Sequence, residues 1–157
     1  MATITFKRGD AYAMKLAKCE ARSEEIAKKA IYAGANVIAN QIRANLVDNL
    51  RDPMYAGKQS GILFKYFNSD LTGDLLDSFG ITPIEEDGQG CYNAKIGFDG
   101  YDARGIPNRL KARVMESGSS TIRKRPFVAP AVKQTKKRAL DAMRQTIDEE
   151  ISATMKG

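Results

Sequence analysis

From Ser23 to about Leu50 the apolar residues Ile31, Ile38, Ile42, Leu46 and Leu50 recur in steps of seven and four, the spacing of one face of a helix. A run of roughly 27 helical residues is about 40 Å long, so any fold of this chain has to be arranged around that rod. Ser23 is a good N-cap, and Glu24 and Glu25 suit the positive end of the helix dipole. Asn36, Asn40, Asn45 and Asn49 form a polar flank beside the seam. Asp52-Pro53 stops the helix, because proline disfavours helical geometry in the residue before it.

The remaining elements are shorter. Thr3–Phe6 alternates like a strand and ends at a Gly9-Asp10 turn; Asp10 then caps a short helix from Ala11 to about Glu20, with Tyr12, Leu16 and Cys19 along one side. Residues 53–71 read as a long loop or arm rich in aromatics, including Tyr55, Phe64, Tyr66 and Phe67. Loops of that length are uncommon in compact domains and often functional, so the arm is either a flap over the core or an interface element. A one-turn helix follows from Thr72 to Ser78. Ile81–Glu85 and Cys91–Phe98 read as a hairpin around the five-residue turn Glu86–Gly90. Arg109–Ser117 is helix by the spacing of Leu110 and Val114, or strand by its length. A second long helix spans 130–155, with Pro130 as its first residue and a stripe of Val132, Ala139 or Leu140, Met143, Ile147, Ile151 and Met155. The expected fold is a single α+β domain over 1–157: two long amphipathic helices packed on a small antiparallel sheet.

A chain of 157 residues with 43% hydrophobic and 28% charged residues has the composition of a globular fold. Without a long uncharged apolar run it offers no membrane span, and MATITFKRGD lacks an apolar signal core, so the expected product is neither secreted nor imported. Histidine is absent, which removes the commonest metal ligand and general acid–base. Cys19 and Cys91 are expected as free, mostly buried thiols. There is no phosphate-binding GxxxxGK[ST] loop, and Gly88-Gln89-Gly90 lies in an acidic turn that repels phosphate. Asp70, Asp74 and Asp77 could share a helical face and hold Mg²⁺ or Ca²⁺, but no calcium-loop pattern surrounds them, and acids near a helix start suit the dipole. No nucleophile has a visible base partner, so the chain is expected to be no enzyme and to need no cofactor or metal.

The net charge of +6 is concentrated. Residues 104–147 hold twelve Lys and Arg against only Glu116 and Asp141. Within this segment Lys133, Lys136, Lys137 and Arg138 crowd the start of the last helix, where they oppose its dipole; local helix stability does not account for them. Together with Arg123, Lys124 and Arg125 they form a basic stretch that attracts nucleic acid or an acidic protein neighbour, or is simply a solvated face.

The landmarks also fall in a familiar order. Leu71-Thr72-Gly73-Asp74-Leu75-Leu76-Asp77-Ser78 is similar to a T-G-x-L-x-x-S signature, Val114-Met115-Glu116-Ser117-Gly118-Ser119 to a V-E-x-G-T/S turn, and Arg125-Pro126-Phe127-Val128-Ala129-Pro130-Ala131 to a P-F-[LM]-x-P-A approach to a C-terminal helix. With both long helices in place, the whole chain resembles the tail-component family of long-tailed bacteriophages, the tail-completion or head–tail joining (neck) proteins. Gly73, Leu75, Ser78, Glu116, Gly118, Pro126, Phe127 and Pro130 are the motif positions, and each has a plain folding use. The resemblance implies a non-catalytic virion protein made in the bacterial cytoplasm and assembled as a homo-oligomeric ring, a hexamer being one expectation. Its neighbours would be the tail terminator, a stopper or head-completion protein and the tape-measure end, with Arg123, Lys124, Arg125, Lys133, Lys136, Lys137 and Arg138 facing packaged DNA or protein. The 53–69 arm and the basic Gly105–Lys111 stretch depart from the family pattern, so no contact is carried onto them. Two alternatives remain: the tail terminator itself, and a stand-alone nucleic-acid-binding protein using the same basic residues with Tyr92 and Tyr101 stacking on bases.

Overall fold

The computed structural model describes residues 7–51, 75–102, 104–120 and 123–157. The fold is α+β, in the order α1 (Lys7–Ala21), α2 (Ser23–Arg51), β1 (Phe79–Ile81), β2 (Glu85–Glu86), β3 (Tyr92–Asn93), β4 (Ile96–Phe98), α3 (Asn108–Ser117) and α4 (Val128–Lys156). The strand expected at Thr3–Phe6, the 53–71 arm and the start of the Thr72–Ser78 helix lie outside the described residues.

Helices α2 and α4 pack side by side and antiparallel. Arg22 beside α2 reaches Thr154 and Glu150, Gln41 takes a hydrogen bond from Arg138, and Asn45 bonds the Phe127 carbonyl. Close approach selects small side chains along this seam. Ala30, Ala131, Thr135 and Ala139 are buried, and an added Cβ at Gly34 would lie 2.6 Å from the Met143 Cγ. The expected α4 stripe is therefore displaced: Ala139 is the buried alternative, while Val132, Leu140 and Ile151 are 40–47% exposed. Buried Thr135 satisfies its hydroxyl by donating to the Ala131 carbonyl one turn back.

Three termini differ from expectation. Helix α1 begins at Lys7 and runs through Gly9-Asp10, so Asp10 is not its cap; an interior glycine costs a helix only about 1 kcal/mol. Its Tyr12 and Leu16 side is turned to solvent. Ser23 is already helical, the Arg22 carbonyl taking the first bond of α2 from Ile26 while its N–H still bonds Lys18, so the two helices are almost continuous. Pro130 is the third residue of α4 rather than the first.

The hairpin between Phe79 and Phe98 is present but split. Phe79, Gly80 and Ile81 pair with Phe98, Gly97 and Ile96; Glu85 and Glu86 pair with Asn93 and Tyr92. Three residues, Thr82-Pro83-Ile84, therefore face two, Ala94-Lys95, which is a bulge. Proline has no N–H for the ladder; adjoining Thr82 makes both bonds to Lys95, its N–H donating to the Lys95 carbonyl and its hydroxyl accepting the Lys95 N–H. The closing loop is Asp87–Cys91, tied by the Asp87 carboxylate to the N–H groups of Gln89 and Cys91. Both cysteines are free, and Cys91 is exposed at this tip rather than buried.

Leu46, Leu75, Met115 and Phe127 are fully buried and join Ile42, Phe79, Ala112 and Ala131 in one core between α2, the β1–β4 ladder, α3 and the start of α4. Phe98 bridges the sheet to the helices, 5.1 Å from the Phe79 ring and edge-on to Phe127 at 6.0 Å.

Candidate interaction surface

The basic end of the molecule is built on a clasp between α3 and α4. A helix leaves its first N–H groups without internal partners. Here the Glu116 carboxylate, from the end of α3, accepts the N–H groups of Phe127, Val128 and Ala129 at 2.7, 3.0 and 3.0 Å. The next residue, Pro130, has no N–H to satisfy. One carboxylate and one proline thus complete the N-terminus of α4, and the negative charge sits at the positive end of the helix dipole. Gly118 makes this reach possible: its φ of +77° turns the chain off α3, and its N–H bonds the Val114 carbonyl. The Arg125 N–H donates to the Met115 carbonyl, and Asn49 and Asn45 of α2 hold the carbonyls of Arg125 and Phe127. Phe127 plugs the core behind them with no exposed surface. Glu116, Gly118, Pro126, Phe127 and Pro130, read as separate short motifs, fall within this one device. Leu75 is a core residue, and the Ser78 hydroxyl donates to the Leu75 carbonyl to close the preceding turn.

The clasp sets the direction in which the basic residues leave the fold. Arg123 and Lys124 are exposed on the approach, and Arg125 is half-buried. Lys133 and Lys137 lie one turn apart on the same exposed face of α4, with Lys136 beside them. Arg138 points toward α2 and donates to Gln41. The seven residues are therefore not one patch: the Arg138 guanidinium is bonded to α2, and Arg125 is half-buried where its main chain is held by Met115 and Asn49. Among the described residues Lys133, Lys136 and Lys137 have no carboxylate partner.

Between the sheet, α3 and the start of α4 is an open groove of about 940 Å³ that no sequence pattern signals. Its apolar walls come from Phe79, Ile81, Ile96 and Phe98 of the sheet and Val128 of α4, and its rim carries Arg109 and Arg113, one turn apart on α3. Both arginines are exposed. Their spacing was visible in the sequence; the groove needed the sheet to place its opposite wall.

Lys111 is the exception in the basic segment. It is buried and paired with the buried Asp102 carboxylate, which also accepts the N–H groups of Arg104 and Ile106. The Lys111 hydrogen bond, aided by those backbone N–H groups, holds the Asp102 carboxyl below its ordinary pKa against the opposing effect of burial. One positive charge of the segment is thus internal and unavailable to a partner. Neighbouring Asn108 is buried and donates to the Asp99 carbonyl.

Of the other expected site residues, Tyr55, Phe64, Tyr66, Phe67, Gly73, Asp70 and Asp74 lie outside the described residues. Tyr92 packs its ring 5.6 Å from the Lys28 ammonium on α2, and Tyr101 is 72% exposed on a separate loop, so the two do not form one stacking platform. Among the described residues no group of three Cys, Asp or Glu side chains is placed to hold a metal ion, and no helix is long and apolar enough to cross a membrane. Comparison with protein-family models, with curated proteins and with solved structures returned no match.

Proposed function

We propose that this chain is a non-catalytic structural protein of a tailed bacteriophage virion, acting at the head–tail junction to complete the tail or join it to the head as a homo-oligomeric ring. The observation that carries this reading is the Glu116 clasp. The resemblance rests in large part on two short segments, 114–119 and 125–131, and they work together: the carboxylate of the first caps the helix that the second begins. The motif order is therefore one physical device, which presents Lys133, Lys136 and Lys137 outward in a fixed direction. Basic residues that oppose the helix dipole and find no carboxylate among the described residues are suited to an external polyanion or an acidic protein surface. The neighbours proposed are the tail terminator, a stopper or head-completion protein and the tape-measure end. Service as the terminator itself is the alternative within the same class.

Deleting the coding sequence from the phage that encodes the chain tests the reading. Filled heads and separate tails that fail to join, with joining restored by the supplied protein, are the expected result. Normal yields of infectious particles without the chain would refute it.

A second reading, stand-alone nucleic-acid binding, is favoured by the exposed Arg109, Arg113, Lys133 and Lys137. It requires the isolated chain to bind duplex DNA with an affinity that falls steeply with salt.

A further inference from the structure

The fold sorts exposed charge toward two separated regions. At one, the hairpin tip from Glu85 to Cys91 is exposed throughout and carries Glu85, Glu86 and Asp87. Its described ion pair, Glu85 with Lys95 at 4.0 Å, joins two mostly exposed side chains and holds little energy. The tip lies by the early part of α2, because adjoining Tyr92 stacks near Lys28. At the other region are Lys133, Lys136 and Lys137 on α4, none paired with a carboxylate among the described residues. This region lies by the late part of α2, where Gln41, Asn45 and Asn49 hold Arg138, Phe127 and Arg125.

From Lys28 to that late part is about 20–30 Å along the helix. Screening in physiological salt acts over about 8 Å. Within one molecule the acidic tip and the basic end therefore do not neutralise each other. Two copies placed head to tail bring them together.

We infer that the basic end of each copy is the docking surface for the acidic hairpin tip, Glu85-Glu86-Asp87, of a second copy. The inference rests on the ring reading above and names the faces that make the ring. A contact between two different faces of the same chain is heterologous, and such contacts close into rings when the rotation between neighbours permits. Charge complementarity then fixes orientation, since tip against tip and base against base both repel. The turn is prepared for this role: the Asp87 carboxylate holds the N–H groups of Gln89 and Cys91, so the tip is shaped before it meets a partner.

Native mass and sedimentation of the full chain, measured over a protein-concentration series at low and high salt, test it with two charge-reversed variants. Glu85→Lys/Glu86→Lys reverses the tip and leaves the Asp87 turn intact. Lys133→Glu/Lys136→Glu/Lys137→Glu reverses the base on exposed helical positions. Circular dichroism confirms that both fold. Wild type should associate at low salt and dissociate as salt rises, and each variant alone should associate at least about ten-fold more weakly. Mixing the two variants should restore association, because the reversed tip of one meets the reversed base of the other. A chain carrying both reversals should associate with itself.

Wild type that stays monomeric at low salt overturns the inference. So does association unchanged by either reversal, or variants that fail to complement. Loss of duplex-DNA binding in the base-reversed variant with association unchanged gives the surface to nucleic acid instead. Copies that do not associate through these faces, in a chain nonetheless found at the neck of particles, sink this inference and leave the function reading standing. Association as described, in a chain absent from particles, does the opposite.

Discussion

Replacing Glu116 with alanine leaves the N–H groups of Phe127, Val128 and Ala129 without their acceptor and removes a negative charge from the positive end of α4. Loss of an N-terminal cap alone costs about 0.5–2 kcal/mol. The bonds here are charge-assisted, and hydrogen bonds to charged groups contribute about 1.5–3 kcal/mol each, although solvent can replace part of that at a half-buried site. The dipole adds about 0.3–1 kcal/mol. The expected loss is about 2–4 kcal/mol, and at about 2–4 °C per kcal/mol for a chain of this size the melting temperature falls by roughly 4–16 °C. Glu116→Gln keeps the shape and one acceptor oxygen, so it should lose about half as much. Glu116→Asp, one methylene shorter, should resemble the alanine variant because the carboxylate no longer reaches. Urea unfolding of the three variants beside an exposed control such as Glu149→Gln gives the comparison. Glu116→Ala within about 0.5 kcal/mol of wild type would refute the reasoning, since surface changes without structural cost fall in that range.

Three further outcomes follow from the same geometry. Lys111→Met leaves the buried Asp102 carboxylate without its cation and should cost about 3–5 kcal/mol, whereas Lys111→Met with Asp102→Asn should cost less than the two single changes summed, as read by denaturant unfolding. Because Asp102 is held below its ordinary pKa, the folded state binds its proton less readily than the unfolded state. Its stabilising contribution is complete above the ordinary carboxylate range near pH 4 and is lost as pH falls toward the lower folded value, so the acid limb of a stability–pH curve should flatten in Asp102→Asn. Gly34→Val should lose about 1–3 kcal/mol by crowding Met143, and adding Met143→Ala should recover part of the loss; a neutral Gly34→Val in thermal unfolding would contradict the close α2–α4 approach.

Helix α2 was legible because Ile38, Ile42, Leu46 and Leu50 repeat at helical spacing and Asp52-Pro53 stops the run. Its partner face was less so. Hydrophobic patterning looks for large side chains, but the α2–α4 seam is filled by Ala30, Gly34, Thr135 and Ala139, so Leu140 and Ile151, which looked like core, are on the outside. The hairpin could be read from its acidic turn, but the bulge at Pro83 could not, because its register depends on the Thr82 hydroxyl standing in for a carbonyl. At the candidate surface, Lys133 and Lys137 were visible as cations that oppose a dipole. Arg138 differs from them only once the fold brings Gln41 of α2 to its guanidinium, and Arg125 once Asn49 and Met115 fix its main chain and leave the residue half-buried. Glu116 stands in the sequence as a motif residue, but its role is hidden there because its partners are main-chain N–H groups eleven to thirteen residues on. The Lys111–Asp102 pair carried no sequence signal at all.

The proposed virion role is tested most directly by mass spectrometry of tailed-phage particles purified from the source that encodes this chain, together with density at their head–tail junction. The proposed role requires the chain in stoichiometric amount, as a ring of density at the neck into which the α2–α4 pair and the hairpin fit. Particles that are complete, infectious and free of the chain would contradict it.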